Sequence, residues 1–389
     1  MAMIKQIPTS ELKPGMYVVR LNLNEKSSQE GIVPDISVVE TLISQGITHV
    51  SIDTEQSINA SESNDKPAEE TSRLLKQPTT SMEEEFSQAK GKHQEAQGLV
   101  QQAMTLAASG KHIDIAELSS MSDFFIGSVY RNQNALACLC RIRDQDAYLM
   151  EHSVNVSILM AILGKELQLP EKKLHECVLG ALFHDIGKIL VPSGILNKPG
   201  KLTDDEFNTI KSHPTRGKEI LEQHGGISEV ALNVVYQHHE RMDGRGYPLK
   251  LNGSEISLEG CMASTVDVYD AITADRCYHK GMSPSAGLKK LLEWSGDHLN
   301  VEMVHHFIKA IGVYPTGSVV ELDRGRLGIV LEQNILSPSK PIVRIIYSMN
   351  NNCYITPEEI DLSHQSGNIS IVRPVSAKQY GIKVEDFVG

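Results

Sequence analysis

Apolar residues in the middle of this chain recur three and four apart. Over 174–189 the positions Leu174, Cys177, Val178, Ala181 and Leu182 fall on one face of a helix, and the polar pair His184-Asp185 follows at once. Gly187 stands where such a helix is expected to stop. The same period predicts helices over 148–163 and 230–236. In the stretch before them, Leu99, Ala103, Leu106 and Ala107 share one face, and 124–139 carries a second apolar stripe. Both ends change character. After the Pro14-Gly15 turn, 17–21 reads as a strand, 38–45 as a short helix closed by Gly46, and 49–52 as another strand. Beyond Pro315, runs at 318–322, 327–332 and 342–347 read as strands separated by Gly, Asn and Pro turns, which suggests a small barrel-like cap.

The pattern therefore predicts a mainly α protein, a helical bundle with a small β-containing module before it and a β-rich segment after it. The expected divisions are an accessory module over 1–56, a flexible linker over 57–82, a helical connector over 83–143, a catalytic domain over 144–313 and a β-rich segment over 314–389. The linker is assigned on composition: Ser, Glu, Asn, Thr and Pro dominate, and too little apolar surface is present to offset the entropy of ordering.

Charge and cysteine content narrow the function. The 389 residues carry a formal net charge of −12, which argues against nucleic-acid polymers and anionic membranes as partners. An anionic substrate would need local compensation, for which metal ions are the obvious source. The six cysteines form no C-x-x-C pair and read as reduced thiols rather than a disulfide frame or a zinc ribbon. The first ten residues lack an apolar signal core, and no apolar run approaches bilayer-spanning length, so the expected location is cytoplasmic.

Candidate chemistry lies in five clusters between helical stretches: His152; His184-Asp185; His213 before Pro214; His238-His239; and Asp267. A solitary histidine on an apolar face is usually a satisfied core residue. An ordered set of imidazoles and carboxylates, each beside an apolar face, suits divalent ions at the centre of a bundle. Without thiolates, the set points away from structural zinc. Mixed imidazole and carboxylate suits iron or manganese first, with cobalt, nickel and zinc also compatible.

Three stretches carry a specific resemblance. His184-Asp185-Ile186-Gly187-Lys188, His213-Pro214, and the run from His238-His239-Glu240 to Gly246-Tyr247-Pro248 resemble the HD-GYP family. That family is a branch of the HD phosphohydrolases that cleaves cyclic dinucleotides, chiefly cyclic di-GMP. The later stretch from Asp267 to Arg276 is similar to the family's closing motif. The resemblance covers roughly 144–313. More loosely, the N-terminal module is similar to a domain of unknown role often found before HD-GYP domains, and the tail to the segment that often follows them.

The resemblance implies that Asp185 bridges two metal ions and that His152, His184, His213, His238, His239 and Asp267 complete their shells. It implies a metal-bridging hydroxide as nucleophile and the linear dinucleotide pGpG, or GMP after a second cut, as product. Lys188 would face the scissile phosphate or the water, Arg276 would hold a phosphate, and Gly246, Tyr247 and Pro248 would shape the pocket. Two departures stand out. Tyr148 occupies the position where some members carry a glutamate for a third metal, so two ions are expected. His279 takes the place of a basic residue that grips substrate. Two alternatives remain at this level: an enzyme for cyclic GMP-AMP or another cyclic nucleotide, and a non-catalytic dinucleotide-sensing interaction module. A homodimer, and a signalling partner for the N-terminal module, are also left open.

Overall fold

Strand alternation builds the N-terminal unit. In the computed structural model, β1 (Ile4–Pro8), β2 (Tyr17–Leu21), β3 (Gly31–Ile32) and β4 (His49–Asp53) form an antiparallel sheet in the order β1-β4-β2-β3. Ile7, Val18, Val50 and Ile52 turn inward with Leu12 to form a core of their own. The strands expected at 17–21 and 49–52 are present; β1 was not anticipated. The structure describes residues 4–9, 12, 16–21, 31–32, 49–53, 78–142, 148–274, 281–334, 337–364 and 369–388. The helix expected at 38–45 and most of the 57–82 stretch lie outside them. The chain divides into two compact units, 1–77 and 78–389.

The second unit begins with two long helices, α1 (Met82–Ala108) and α2 (Ile115–Leu139). Ser81 caps α1 by accepting from the Glu84 N–H, and Glu83, Glu84 and Glu85 fill its first turn, where the helix dipole favours acids. Asp114 caps α2 in the same way. Glu85 is fully buried between the two helices. Its carboxylate accepts from Ser128 Oγ at 2.6 Å and from Arg131 Nε and Nη2 at 2.8 and 2.9 Å. A buried carboxylate is tolerated because every oxygen is met.

Five further helices make the central bundle: α3 (Tyr148–Glu166), α4 (Glu171–Phe183), α7 (His213–His224), α8 (Glu229–Gln237) and α9 (Leu258–Thr273). The short α5 (Ser193–Leu196) and α6 (Asp204–Lys211) precede α7. Residues 151–164 of α3 are buried on every side; only the second half, 158–163, is apolar all round, and the first half encloses polar residues, His152 among them. It packs against α4 and α9, and against α11 (Val301–Ile311), which follows α10 (Pro284–Trp294). Phe125, Phe183 and Phe307 are among the largest fully buried side chains, each worth roughly 1.5–3 kcal/mol of burial.

The tail is a five-stranded antiparallel sheet of β5 (Val319–Leu322), β6 (Arg326–Glu332), β7 (Ile342–Ser348), β8 (Cys353–Asp361) and β9 (Ile371–Val375), ordered β8-β7-β6-β5-β9. Val319, Leu327, Ile329 and Ile346 join the helical core, whereas Val320, Val330, Val343 and Ile345 form a second cluster on the other face. Two-sided burial explains the near-continuous apolar runs. Among the described residues β8 and β9 are free edges, so the sheet is open in its hydrogen bonding rather than a closed barrel.

Candidate metal centre

Three helices of the bundle deliver their polar residues at an end. His184 follows the last residue of α4, His213 opens α7, and His238-His239 follow α8. His152 projects from α3 and Asp267 from α9. The helix before His184 ends at Phe183, not at Gly187 as its pattern suggested; the chain continues as a 3₁₀ turn over Ile186–Leu190. Gly187 serves a different purpose. A Cβ there would lie 2.0 Å from His213 O and 2.6 Å from Gly217 N, so only glycine lets this turn abut the start of α7.

Hydrogen bonds at the far side of the rings fix the tautomers. The Nδ1 atoms of His184, His213 and His238 lie 2.7, 2.8 and 2.8 Å from the carbonyl oxygens of Ala181, Ile210 and Val235. A carbonyl cannot donate, so each Nδ1 carries the hydrogen. In neutral rings the Nε2 atoms then present lone pairs inward. His213 Nε2 and His238 Nε2 face each other at 3.1 Å. Burial, first of all, holds these two imidazoles neutral, bringing them down to about 3 and about 4 respectively. No proton is at hand to separate the lone pairs.

Asp185 completes this convergence of acceptors. It is fully buried, and its Oδ1 has no hydrogen-bond partner. That oxygen lies 3.3 Å from His213 Nε2 and 3.9 Å from His238 Nε2. Its Oδ2 faces the other way, 3.4 Å from His184 Nε2, 3.8 Å from His152 Nε2 and 2.6 Å from Lys188 Nζ. One carboxylate thus stands between two histidine pairs. Two sets of side chains bring their donor atoms within 4.8 Å of one another, His213 with His238 and His239, and His152 with His184 and Asp185. Acceptors without donors in a buried space cost several kcal/mol unless a cation is present. Imidazole and carboxylate are suited to one, and the donor set fits divalent metal.

Around the set of His152, His184 and Asp185, Asp267 Oδ1 lies 3.0 Å from His152 Nε2 and 3.9 Å from His184 Nε2. Asp270 Oδ2 accepts from His152 Nδ1 at 2.7 Å. Burial alone would lower the His152 imidazole; the two carboxylates outweigh it and push it up to about 9. Burial would raise Asp267, but the surrounding imidazoles hold it far below the usual carboxylate range. Solvent reaches the cluster from one side, where His239 and Lys188 retain 25% and 19% side-chain exposure.

That side is bordered by the Gly246-Tyr247-Pro248 loop. The Tyr247 ring lies 4.7 Å from that of His239, inclined by 35°, and its backbone N–H donates to His239 O at 3.1 Å. Buried Glu240 accepts from the backbone N–H groups of Leu249 and Leu251 at 2.6 and 3.0 Å, pinning the loop's far end. A Cβ at Gly246 would lie 2.4 Å from Arg241 N, so the loop folds back on itself only with glycine.

The structure thus brings His152, His184, Asp185, Lys188, His213, His238, His239 and Asp267 together, with Gly246, Tyr247 and Pro248 beside them. Arg276 and His279 lie outside the described residues. Tyr148 opens α3. Two residues escaped the sequence reading. Asp270 sits three positions after Asp267, a spacing that places both on one helix face, and Glu240 directly follows the paired histidines.

Comparisons with known proteins place the chain in a family. A model of the HD domain matches residues 138–302, one of a domain of unknown function (DUF3391) matches 4–118, and one of the KOW domain associated with HD domain matches 319–383. The chain is 36% identical over 385 residues to the cyclic di-GMP phosphodiesterase PA4108 of Pseudomonas aeruginosa, covering 95% of this chain and 92% of that protein. It belongs to the HD-GYP family. Other relatives match in part. The cyclic di-GMP phosphodiesterase response regulator RpfG of Xanthomonas campestris is 34% identical across 43% of this chain and 44% of its own length. The 3'3'-cGAMP-specific phosphodiesterase 3 of Vibrio cholerae is 32% identical across 43% of this chain and 36% of its own. An HD-GYP-type protein of Bdellovibrio bacteriovorus, Bd1817, overlaps at a TM-score of 0.49 and 17% identity, covering 78% of this chain and 98% of that one. The assignment rests on the full-length sequence relative. Among the described residues no helix is long and apolar enough to cross a membrane.

Proposed function

We propose that this chain is a metal-dependent phosphodiesterase that hydrolyses cyclic di-GMP and releases the linear dinucleotide pGpG. The observation that carries the reading is the placement of Asp185, whose two carboxylate oxygens face different histidine pairs at 3.3 and 3.4 Å. Two divalent ions, iron or manganese by preference, would be held by His152, His184 and Asp267 with one oxygen of Asp185, and by His213, His238 and His239 with the other. When bound, such ions supply positive charge for phosphoryl oxygens and lower the pKa of water towards neutrality, making a nucleophile available at pH 7.

The chain's own residues do the rest. Lys188 Nζ, held 2.6 Å from Asp185 Oδ2 and partly exposed, offers positive charge to the phosphodiester as phosphorus becomes five-coordinate. Asp270 keeps the His152 ring oriented, with its Nδ1–H engaged and its Nε2 directed inward. Tyr247 packs against the one histidine of the cluster that solvent reaches, which favours entry of substrate from that side. The full-length relative favours cyclic di-GMP over cyclic GMP-AMP, the substrate named for a relative that matches less of the chain. Chromatography of products from both dinucleotides, using anaerobically metal-loaded protein, separates the two. Turnover of neither would overturn the proposal and leave a dinucleotide-sensing module as the reading.

A further inference from the structure

A second feature lies beside the centre and is not used by it. A cleft of about 640 Å³ opens between the end of α6, the start of α7 and the loop of Gly246, Tyr247 and Pro248. Three cations line it from two separate stretches: Lys211 from α6, and Arg245 and Lys250 from the loop. Arg245 and Lys250 are exposed and Lys211 is half-buried. Among the described residues none of the three is paired with a carboxylate. The nearby acid, Asp243, is engaged by Arg241 Nε and Nη2 at 3.1 and 2.8 Å and accepts the Arg245 backbone N–H at 3.0 Å, so it bonds to the Arg245 backbone and not to its guanidinium.

In a chain of net charge −12, three cations without an ion pair among the described residues, converging on one cleft, favour an anion there. The wall shared with the metal centre is Tyr247. Its ring meets His239 at 4.7 Å, and Lys211 Nζ lies 6.0 Å from the same ring. A ligand spanning Tyr247 would reach both places at once.

A cyclic dinucleotide has that form. Its two phosphodiesters lie on opposite sides of one closed ring, so when one reaches the centre the other is held away from it. We propose that the cleft is the subsite for the second, uncleaved phosphate, gripped by Arg245 and Lys250 with Lys211 behind them. This rests on the phosphodiesterase reading of the centre. It assigns selection of cyclic dinucleotides over simpler diesters to residues outside the metal cluster.

The test is a double variant, Arg245→Ala with Lys250→Ala, assayed on two substrates by metal-loaded protein. Both side chains are exposed, so folding should survive. Cyclic di-GMP carries the second phosphate; bis(p-nitrophenyl) phosphate does not. For cyclic di-GMP we expect kcat/KM to fall by about tenfold or more, mainly through KM, which is the worth of one charge-assisted contact. For bis(p-nitrophenyl) phosphate we expect no change. Equal losses on both substrates would show that these residues merely support the centre, and no loss on either would show that the cleft holds nothing; each result overturns the inference while the phosphodiesterase reading stands. A parent protein that cleaves the simple diester but neither dinucleotide overturns that reading and this inference with it.

Discussion

The Nε2 atoms of His213 and His238 face each other at 3.1 Å, each ring having given its Nδ1 hydrogen to a backbone carbonyl. Two lone pairs beside the unpartnered Asp185 Oδ1 form a buried site with no donor in it. Filling it with a cation stabilises the folded state. At a free metal concentration a hundred times Kd, binding contributes about 2.7 kcal/mol. Treatment with a chelator should therefore lower Tm by several degrees, and restored Mn²⁺ or Fe²⁺ should reverse it. Calorimetry with and without chelator checks this. An unchanged Tm would count against a tightly held ion.

Asp185→Ala should reduce cyclic di-GMP hydrolysis more than tenfold while the protein still unfolds cooperatively. The substitution removes the carboxylate whose two oxygens face the His152–His184 and the His213–His238 pairs, and it leaves Lys188 with an exposed edge from which to reach water. Product formation by chromatography and a thermal scan on the same sample are the readouts. Activity above a tenth of the parent value contradicts the bridging role.

Asp270 meets the centre at His152 Nδ1, 2.7 Å away. Residues that orient a metal-binding histidine are typically worth about 10–100-fold in affinity or activity. We expect Asp270→Ala to weaken metal binding by that factor, seen as a shift in the metal concentration giving half-maximal activity. Asp270→Asn, which retains an acceptor oxygen, should recover part of the loss.

Gly187→Ala tests the contact between the 3₁₀ turn and α7. The new Cβ would sit 2.0 Å from His213 O, and backbone must move to admit it. We expect about 1–3 kcal/mol of destabilisation, the usual cost of overpacking, together with weaker metal binding because His213 is displaced. Denaturant unfolding and metal titration on the variant measure both effects.

These residues also show what the sequence could and could not convey. The 3.6-residue period located α3, α4 and α8, and the ligand-bearing positions lie at their ends or on their faces. Gly187 was read as a helix stop because a glycine after an apolar stripe usually is one; its actual constraint is a neighbour 26 positions away in sequence, His213. Asp270 and Glu240 were passed over for the same reason, since their partners are His152, Leu249 and Leu251 in the folded chain rather than any local pattern. Strand β1 carries a Lys and a Gln in five residues, and it becomes a strand by pairing with β4.

The connector helices make a separate prediction about pH. Burial raises the Glu85 carboxyl, but hydrogen bonds from Arg131 and Ser128 outweigh it and leave its pKa below the ordinary 4.5. A carboxyl lowered on folding contributes stability that is complete above its unfolded value and lost as pH falls through the folded one. Arg131→Ala leaves that buried charge without its cation and should cost about 3–5 kcal/mol, or less where water reaches the vacated space. Urea unfolding at neutral pH and near pH 3 checks both points. The difference between parent and variant should be large at neutral pH and shrink in acid. An equal difference at both would contradict the ion pair.

The most direct measurement is the metal content of anaerobically purified protein, by elemental mass spectrometry against protein concentration. Two divalent ions per chain are expected, with iron or manganese predominant, falling in the Asp185→Ala variant. A parent protein that holds none after loading, or a variant that retains both, would contradict a centre in which Asp185 joins two histidine-bound cations.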